Sequence, residues 1–114
     1  MKKPHTCFSL VVLYWFMDAL IRTAIAELRL IEFWYDDYLR VVEAHVYGIK
    51  NDKYQILAFQ VGGQSRKQLD LPNWRRFNVD QMVGIWLLDE HFDGRRDYSP
   101  LRDSHFDAIL VAVP

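Results

Sequence analysis

A single cysteine, Cys7, in 114 residues leaves no partner for an intrachain disulfide and too few thiols for a cysteine-based zinc site. Proline (4) and glycine (5) are scarce, which excludes collagen-like, proline-rich and Gly/Ser-linker chains. Net charge is close to balance, −1 from 14 basic and 15 acidic residues. The chain as a whole is therefore no polycation, although a local basic patch stays compatible with that balance. No apolar run reaches the roughly 20 residues a bilayer-crossing helix requires. His5, His45, His91 and His105 fall at no metal-ligand spacing, Ser65 has no G-x-S-x-G context, and Gly62-Gly63 lacks the third glycine of a phosphate loop. No catalytic set, metal site or cofactor site is expected.

What the chain has in quantity is aromatic surface: four Trp, six Tyr and seven Phe within a 51% hydrophobic composition. That is ample for one packed core, and it favours strands. Residues 29–35 alternate, with Ile31, Phe33 and Tyr35 on one face and Leu30, Glu32 and Trp34 on the other. Asp36-Asp37 and Asn51-Asp52 fit tight hairpin turns. They bracket a strand over 38–49, and further strands are predicted over 54–61, 74–79, 82–88 and 109–113. Within 38–49 simple alternation places Val42, Ala44 and Val46 on one face and Glu43, His45 and Tyr47 on the other. Residues 64–73 and 90–104 read as polar loops. Many short strands after one helix suggest a small closed barrel, because closure removes exposed edges.

The N-terminus supports two readings. Lys2 and Lys3, an apolar run from Cys7 to Met17 broken only by Ser9, and Ala24-Ile25-Ala26 have the parts of a secretory signal. Asp18 and Arg22 argue against it, since they interrupt the stretch before the cleavage triplet. From Asp18 a helix is expected, with Asp18 as its N-cap and Leu20, Ile21, Ala24, Ile25 and Leu28 as its buried stripe. The domain is expected to span 17–114, with 1–16 an upstream extension or signal-like segment. The expected location is cytoplasmic, with export only if residues 1–26 form a genuine signal.

Three segments carry a family resemblance. Leu39-Arg40-Val41-Val42-Glu43-Ala44-His45-Val46-Tyr47-Gly48 resembles an early strand of the WYL family that runs R-x-[IV]-E-P-x. Asn51-Asp52-Lys53-Tyr54-Gln55-Ile56-Leu57-Ala58-Phe59 lies where that family has its Trp-Tyr-Leu strand. Trp74-Arg75-Arg76-Phe77-Asn78-Val79-Asp80-Gln81-Met82 is similar to R-x-F-x-[LV]-D-x-[IM]. Two departures are plain: Ala44 stands at the usual proline, and Tyr54-Gln55-Ile56 stands at the eponymous triplet. No winged-helix segment precedes the module, so a stand-alone module is expected. The resemblance implies a mainly β fold with one N-terminal helix, built as a small Sm-like (src-homology-type) β-barrel. It also implies a regulatory module that senses nucleotides or nucleic acid through basic and aromatic residues.

The candidate ligand-binding residues are Arg40, Glu43, His45, Tyr47, Tyr54, Trp74, Arg75 and Arg76. Arg76 beside Trp74 suits stacking and phosphate contact, against an arginine simply lying over an indole at the surface. Arg75 shares a face with Phe77 and Val79 and is expected partly buried. Glu43, His45 and Tyr47 form either a polar pocket wall, with Glu43 holding an arginine, or a structural hydrogen-bond network. Ser65, Arg66, Lys67, Arg95, Arg96 and Arg102 offer a basic rim diluted by Asp70, Asp93, Asp97 and Asp103. The expected function is a ligand-sensing module for a nucleotide or single-stranded nucleic acid. The rival is an oligomeric protein-interaction module without a small ligand, using Trp34 and Trp86. A protein partner or a homo-oligomer fits either reading; a membrane is not expected among the partners.

Overall fold

The computed structural model describes residues 6–64, 71–96 and 106–114, and side chains from Val12 onward within them. Helix α1 (Thr6–Glu27) precedes strands β1 (Arg29–Tyr35), β2 (Tyr38–Lys50), β3 (Lys53–Gly63) and β4 (Asn73–Asn78). A 3-10 turn over Val79–Gln81, strand β5 (Val83–His91) and strand β6 (Ala108–Ala112) complete the order.

Helix α1 starts earlier than the apolar periodicity predicts and runs through Met17 without a break. Asp18 is therefore no cap. It lies inside the helix, where its Oδ1 accepts from the Tyr47 hydroxyl at 2.7 Å and its Oδ2 from Arg22 Nε at 3.1 Å. The stretch from Thr6 to Glu27 has neither proline nor glycine to stop a helix. Leu28 stops it by taking a left-handed backbone (φ 56°) that turns the chain into β1. Leu20, Ile21, Ala24 and Ile25 of the expected stripe are buried against the sheet, joined by Met17, while Leu28 is only partly buried. For the larger of these side chains, burial stabilises by roughly 1.5–3 kcal/mol each.

The sheet is antiparallel in the order β4-β3-β2-β1-β5, with β6 on β2. Both tight hairpins turn where the acidic pairs predict: Asp36, Asp37, Asn51 and Asp52 all have positive φ, between 52° and 68°. Two successive left-handed residues make the turn whose twist matches paired strands. β2 is the spine. One edge pairs with β3 along its length, while the other pairs with β1 over 38–42 and with β6 over 46–49.

A register shift between Ala44 and Val46, with His45 as the extra residue, bends β2 and resets its alternation, whereas the shift between Val41 and Val42 has its extra residue, Val61, on β3. Tyr47 consequently joins the helix-covered core, while Val46 pairs with Leu57 on the opposite face. This corrects the simple alternation: Tyr47 does not share a face with Glu43 and His45.

The expected barrel does not close. β4 and β5 end the strand path with no ladder between them among the described residues. The 3-10 turn between them makes a corner and sends β5 back along β1. The architecture is thus a bent antiparallel sheet with one helix packed on its inner face.

Candidate ligand site

Pairing register decides which polar side chains meet. Ala44 lies opposite Ala58, Ala58 opposite Arg75, Ile56 opposite Phe77, and Val42 opposite Gln60. Arg40, Gln60 and Arg75 therefore project from β2, β3 and β4 onto the face that carries the core. Two alanines beside Arg75 leave it room.

Arg40 is completely buried. Its Nε and Nη2 donate to the Tyr35 carbonyl at 3.3 and 3.1 Å, and its Nη1 donates to Gln60 Oε1 at 3.3 Å. Its guanidinium lies 5.6 Å from the ring centres of Tyr35 and Phe77. Gln60, also completely buried, is held by donating through Nε2 to the carbonyls of Gly62 (3.0 Å) and Gln64 (3.2 Å). Burial, followed by the nearby positive charge of Arg75, pulls the Arg40 pKa below its ordinary value.

Arg75 is the exposed question of this corner in chemical terms. Its Nε and Nη1 are buried and have no hydrogen-bond acceptor among the described residues. Neither Arg40 nor Arg75 makes an ion pair among the described residues. A buried donor left unmade costs about 1–3 kcal/mol, and more when it is charged. Arg40 has only the neutral oxygens of Tyr35 and Gln60 in hydrogen-bond range, with the Asp36 charge further off; two guanidiniums so placed have the chemistry to accept an anionic oxygen group.

On the opposite face of the same strands the carboxylate of Glu43 is fully engaged. Glu43 is 5% exposed and accepts from Arg96 through both oxygens, at 2.9 Å from Nε and 2.7 Å from Nη2. His45 Nε2 donates to Glu43 Oε1 at 3.0 Å. An ionised carboxylate only accepts, so that nitrogen carries the proton. His45 Nδ1 is buried without a partner. Burial pushes the Glu43 carboxyl up, but the hydrogen bonds from His45 and Arg96 outweigh it and hold the pKa below its ordinary value. Around the cluster, Trp74 packs on His45 (5.0 Å) and on Phe59 (5.2 Å), and Arg96 lies 3.7 Å above the Phe59 ring. A cleft of about 510 Å³ opens beside it, with Leu30, His91, Phe92 and Arg95 in its lining.

The eight candidate residues thus fall in four places. Arg40 and Arg75 meet on the core face. Glu43, His45 and Trp74 meet on the other. Tyr47 and Tyr54 lie under α1 with Tyr14, which is 5.3 Å from Tyr54. Burial, helped by Tyr54 and Asp18, pushes the Tyr14 hydroxyl up to about 12. Arg76 stands apart, donating to Gln55 Oε1 at 3.2 Å and lying 4.6 Å over Phe106 rather than over Trp74. Of the expected basic rim, Arg95 and Arg96 line the cleft, while Ser65, Arg66, Lys67 and Arg102 lie outside the described residues. Gln60 is the residue that sequence reasoning passed over. Its signal was a polar side chain in phase with Ile56 and Ala58 on an apolar face.

No family model matches the chain, and no curated protein or solved structure matches it either. Among the described residues no helix is long and apolar enough to cross a membrane, and no three His, Cys, Asp or Glu side chains gather as metal ligands.

Proposed function

We propose that this chain is a binding module for a phosphate-bearing ligand, a nucleotide or the end of a single nucleic-acid strand, held by Arg40, Gln60 and Arg75. The observation that carries the reading is that Nε and Nη1 of the half-buried Arg75 are themselves buried with no acceptor among the described residues, next to the buried Arg40. The Glu43–Arg96 cluster is the poorer receptor because its arginine is already neutralised by a bidentate carboxylate. Phosphate oxygens supply several strong acceptors in one group and match the guanidinium fork. The role is binding and sensing rather than catalysis.

The same reading keeps the resemblance to the WYL family as its frame, with an open, bent sheet where the resemblance implies a closed barrel. Its support is the element order: one helix, a bent antiparallel sheet, and a single 3-10 turn joining the two strands that end the path. Arg40 and Arg75 also stand in two of the three segments that carry the resemblance.

The test is a thermal-shift and calorimetric series with inorganic phosphate, nucleoside mono- and diphosphates, and a 5′-phosphorylated oligothymidylate. Binding is expected to raise the melting temperature and to weaken as salt rises. Arg75→Met should lose at least about tenfold in affinity, as expected where charge-assisted hydrogen bonds worth roughly 1.5–3 kcal/mol are removed. Ligand-free Arg75→Met should melt at or above the parent temperature, because a buried unpaired charge has been replaced by an apolar side chain. A several-degree loss of melting temperature in Arg75→Met, with no stabilisation of the parent by any anion, would make the arginine structural and end the proposal.

A further inference from the structure

Helix α1 has two unlike halves. From Met17 onward one stripe is buried, whereas between Val12 and Phe16 no side chain is. Val12 is 50% exposed, Leu13 52%, Trp15 78% and Phe16 57%. From Phe16 onward along the second half, between α1 and β5, runs an apolar groove of about 380 Å³. The small Ala19 and Thr23 and the large Phe16 and Trp86 are in its lining. The Trp86 indole is itself 66% exposed. Contiguous apolar surface of this kind marks an interaction site.

The residue order on the stripe names the occupant. Val12, Phe16, Ala19 and Thr23 are spaced four, three and four apart, the seam spacing of paired helices. The large Phe16 precedes the small Ala19. An antiparallel copy, related by a two-fold axis between Met17 and Asp18, sets Phe16 against Ala19 and Val12 against Thr23. The two central layers then pair a large side chain with a small one, which is how facing helices interdigitate without voids, and the outer layers pair side chains of similar size. A parallel copy would stack Phe16 on Phe16 and leave a gap at Ala19. The Asp18–Arg22 ion pair lies off the seam and stays in water.

We infer that the chain forms a two-fold homodimer through antiparallel packing of α1 along Val12, Phe16, Ala19 and Thr23, with Trp15 and Trp86 at the rim. Since aromatic side chains bury 150–250 Å² each, the exposed parts of these groups and Leu13 supply roughly 600 Å² per copy. A standard stable interface takes about 800 Å² per partner, and the adjoining backbone contributes toward the rest. The same patch occurs on both copies, as a two-fold interface requires.

Sedimentation velocity on the full chain, from micromolar to hundred-micromolar concentration, is expected to give a dimer mass. Phe16→Glu and Ala19→Lys should each weaken association by roughly thirtyfold or more while leaving the circular dichroism unchanged. Phe16→Ser serves where the new charge disturbs the helix. Mixing F16E with A19K should restore association, because the antiparallel register sets those two positions against each other. The inference fails if the parent stays monomeric throughout, if F16E leaves an oligomer intact, or if the mixture does not reassociate. A monomer that cosediments with phosphatidylcholine/phosphatidylglycerol vesicles through Phe16 would overturn it in favour of a lipid surface.

Discussion

Glu43 holds together two groups that have no other anion among the described residues: the buried His45 ring and the Arg96 guanidinium. Its folded pKa lies below the unfolded value near 4.5, so its contribution is complete above that pH and is lost as pH falls through the depressed folded value. Acid titration of stability should therefore show a step below about pH 4.5 that Glu43→Gln removes. At neutral pH the same substitution should cost about 2–3 kcal/mol in chemical denaturation, below the roughly 3–5 kcal/mol for breaking a fully buried pair, because the Arg96 side chain is 40% exposed. Residue identity alone went some distance here. Arg75 in phase with Phe77 pointed inward, and Glu43 as the anchor of an arginine was legible. The meeting of Arg40 with Arg75 was not, since it crosses three strands and depends on register. Arg96 reaches Glu43 from a segment fifty-three residues away, and no local spacing encodes that.

The two hairpins show where local chemistry suffices. Each turn places two non-glycine residues at positive φ, a conformation that side chains resist and Asp and Asn resist least. Asp52→Gly converts the second turn to Asn-Gly, the preferred pair, and should stabilise the chain by about 0.5–1 kcal/mol in urea denaturation. Gly48 has the opposite role. A Cβ there would meet the Ala108 carbonyl and the Phe106 ring, so Gly48→Val should dislodge β6. Faster amide exchange over 108–112 than in β3 would report it. Strand positions were legible because period-two alternation is strong and the turn residues bracket it. The helix start was not, because residues 7–17 are apolar all round and carry no stripe for periodicity to find. The face switch at Ala44 and Val46 was hidden too: a bulge needs no glycine or proline to mark it.

At the scale of the whole molecule, the proposed anion corner and the proposed helix seam use different elements, β2 to β4 for one and α1 with β5 for the other. Mutations without shared partners add. Arg75→Met should leave the sedimentation of the chain unchanged, and Phe16→Glu should leave phosphate affinity within about twofold. A shift in either would mean that assembly and binding share a residue. The Cα radius of gyration is 14.3 Å over principal extents of 50 × 29 × 28 Å, against about 13 Å for a compact chain of this length. Part of that excess is a helix that outruns the sheet supporting it. Such an overhang adds drag without adding mass. When two copies lie antiparallel, each overhang rests on the other's supported half, so pairing fills in the outline as it doubles the weight. The frictional ratio should therefore fall on association, and small-angle scattering would register dimerisation as a rounding of the particle as well as a gain in mass.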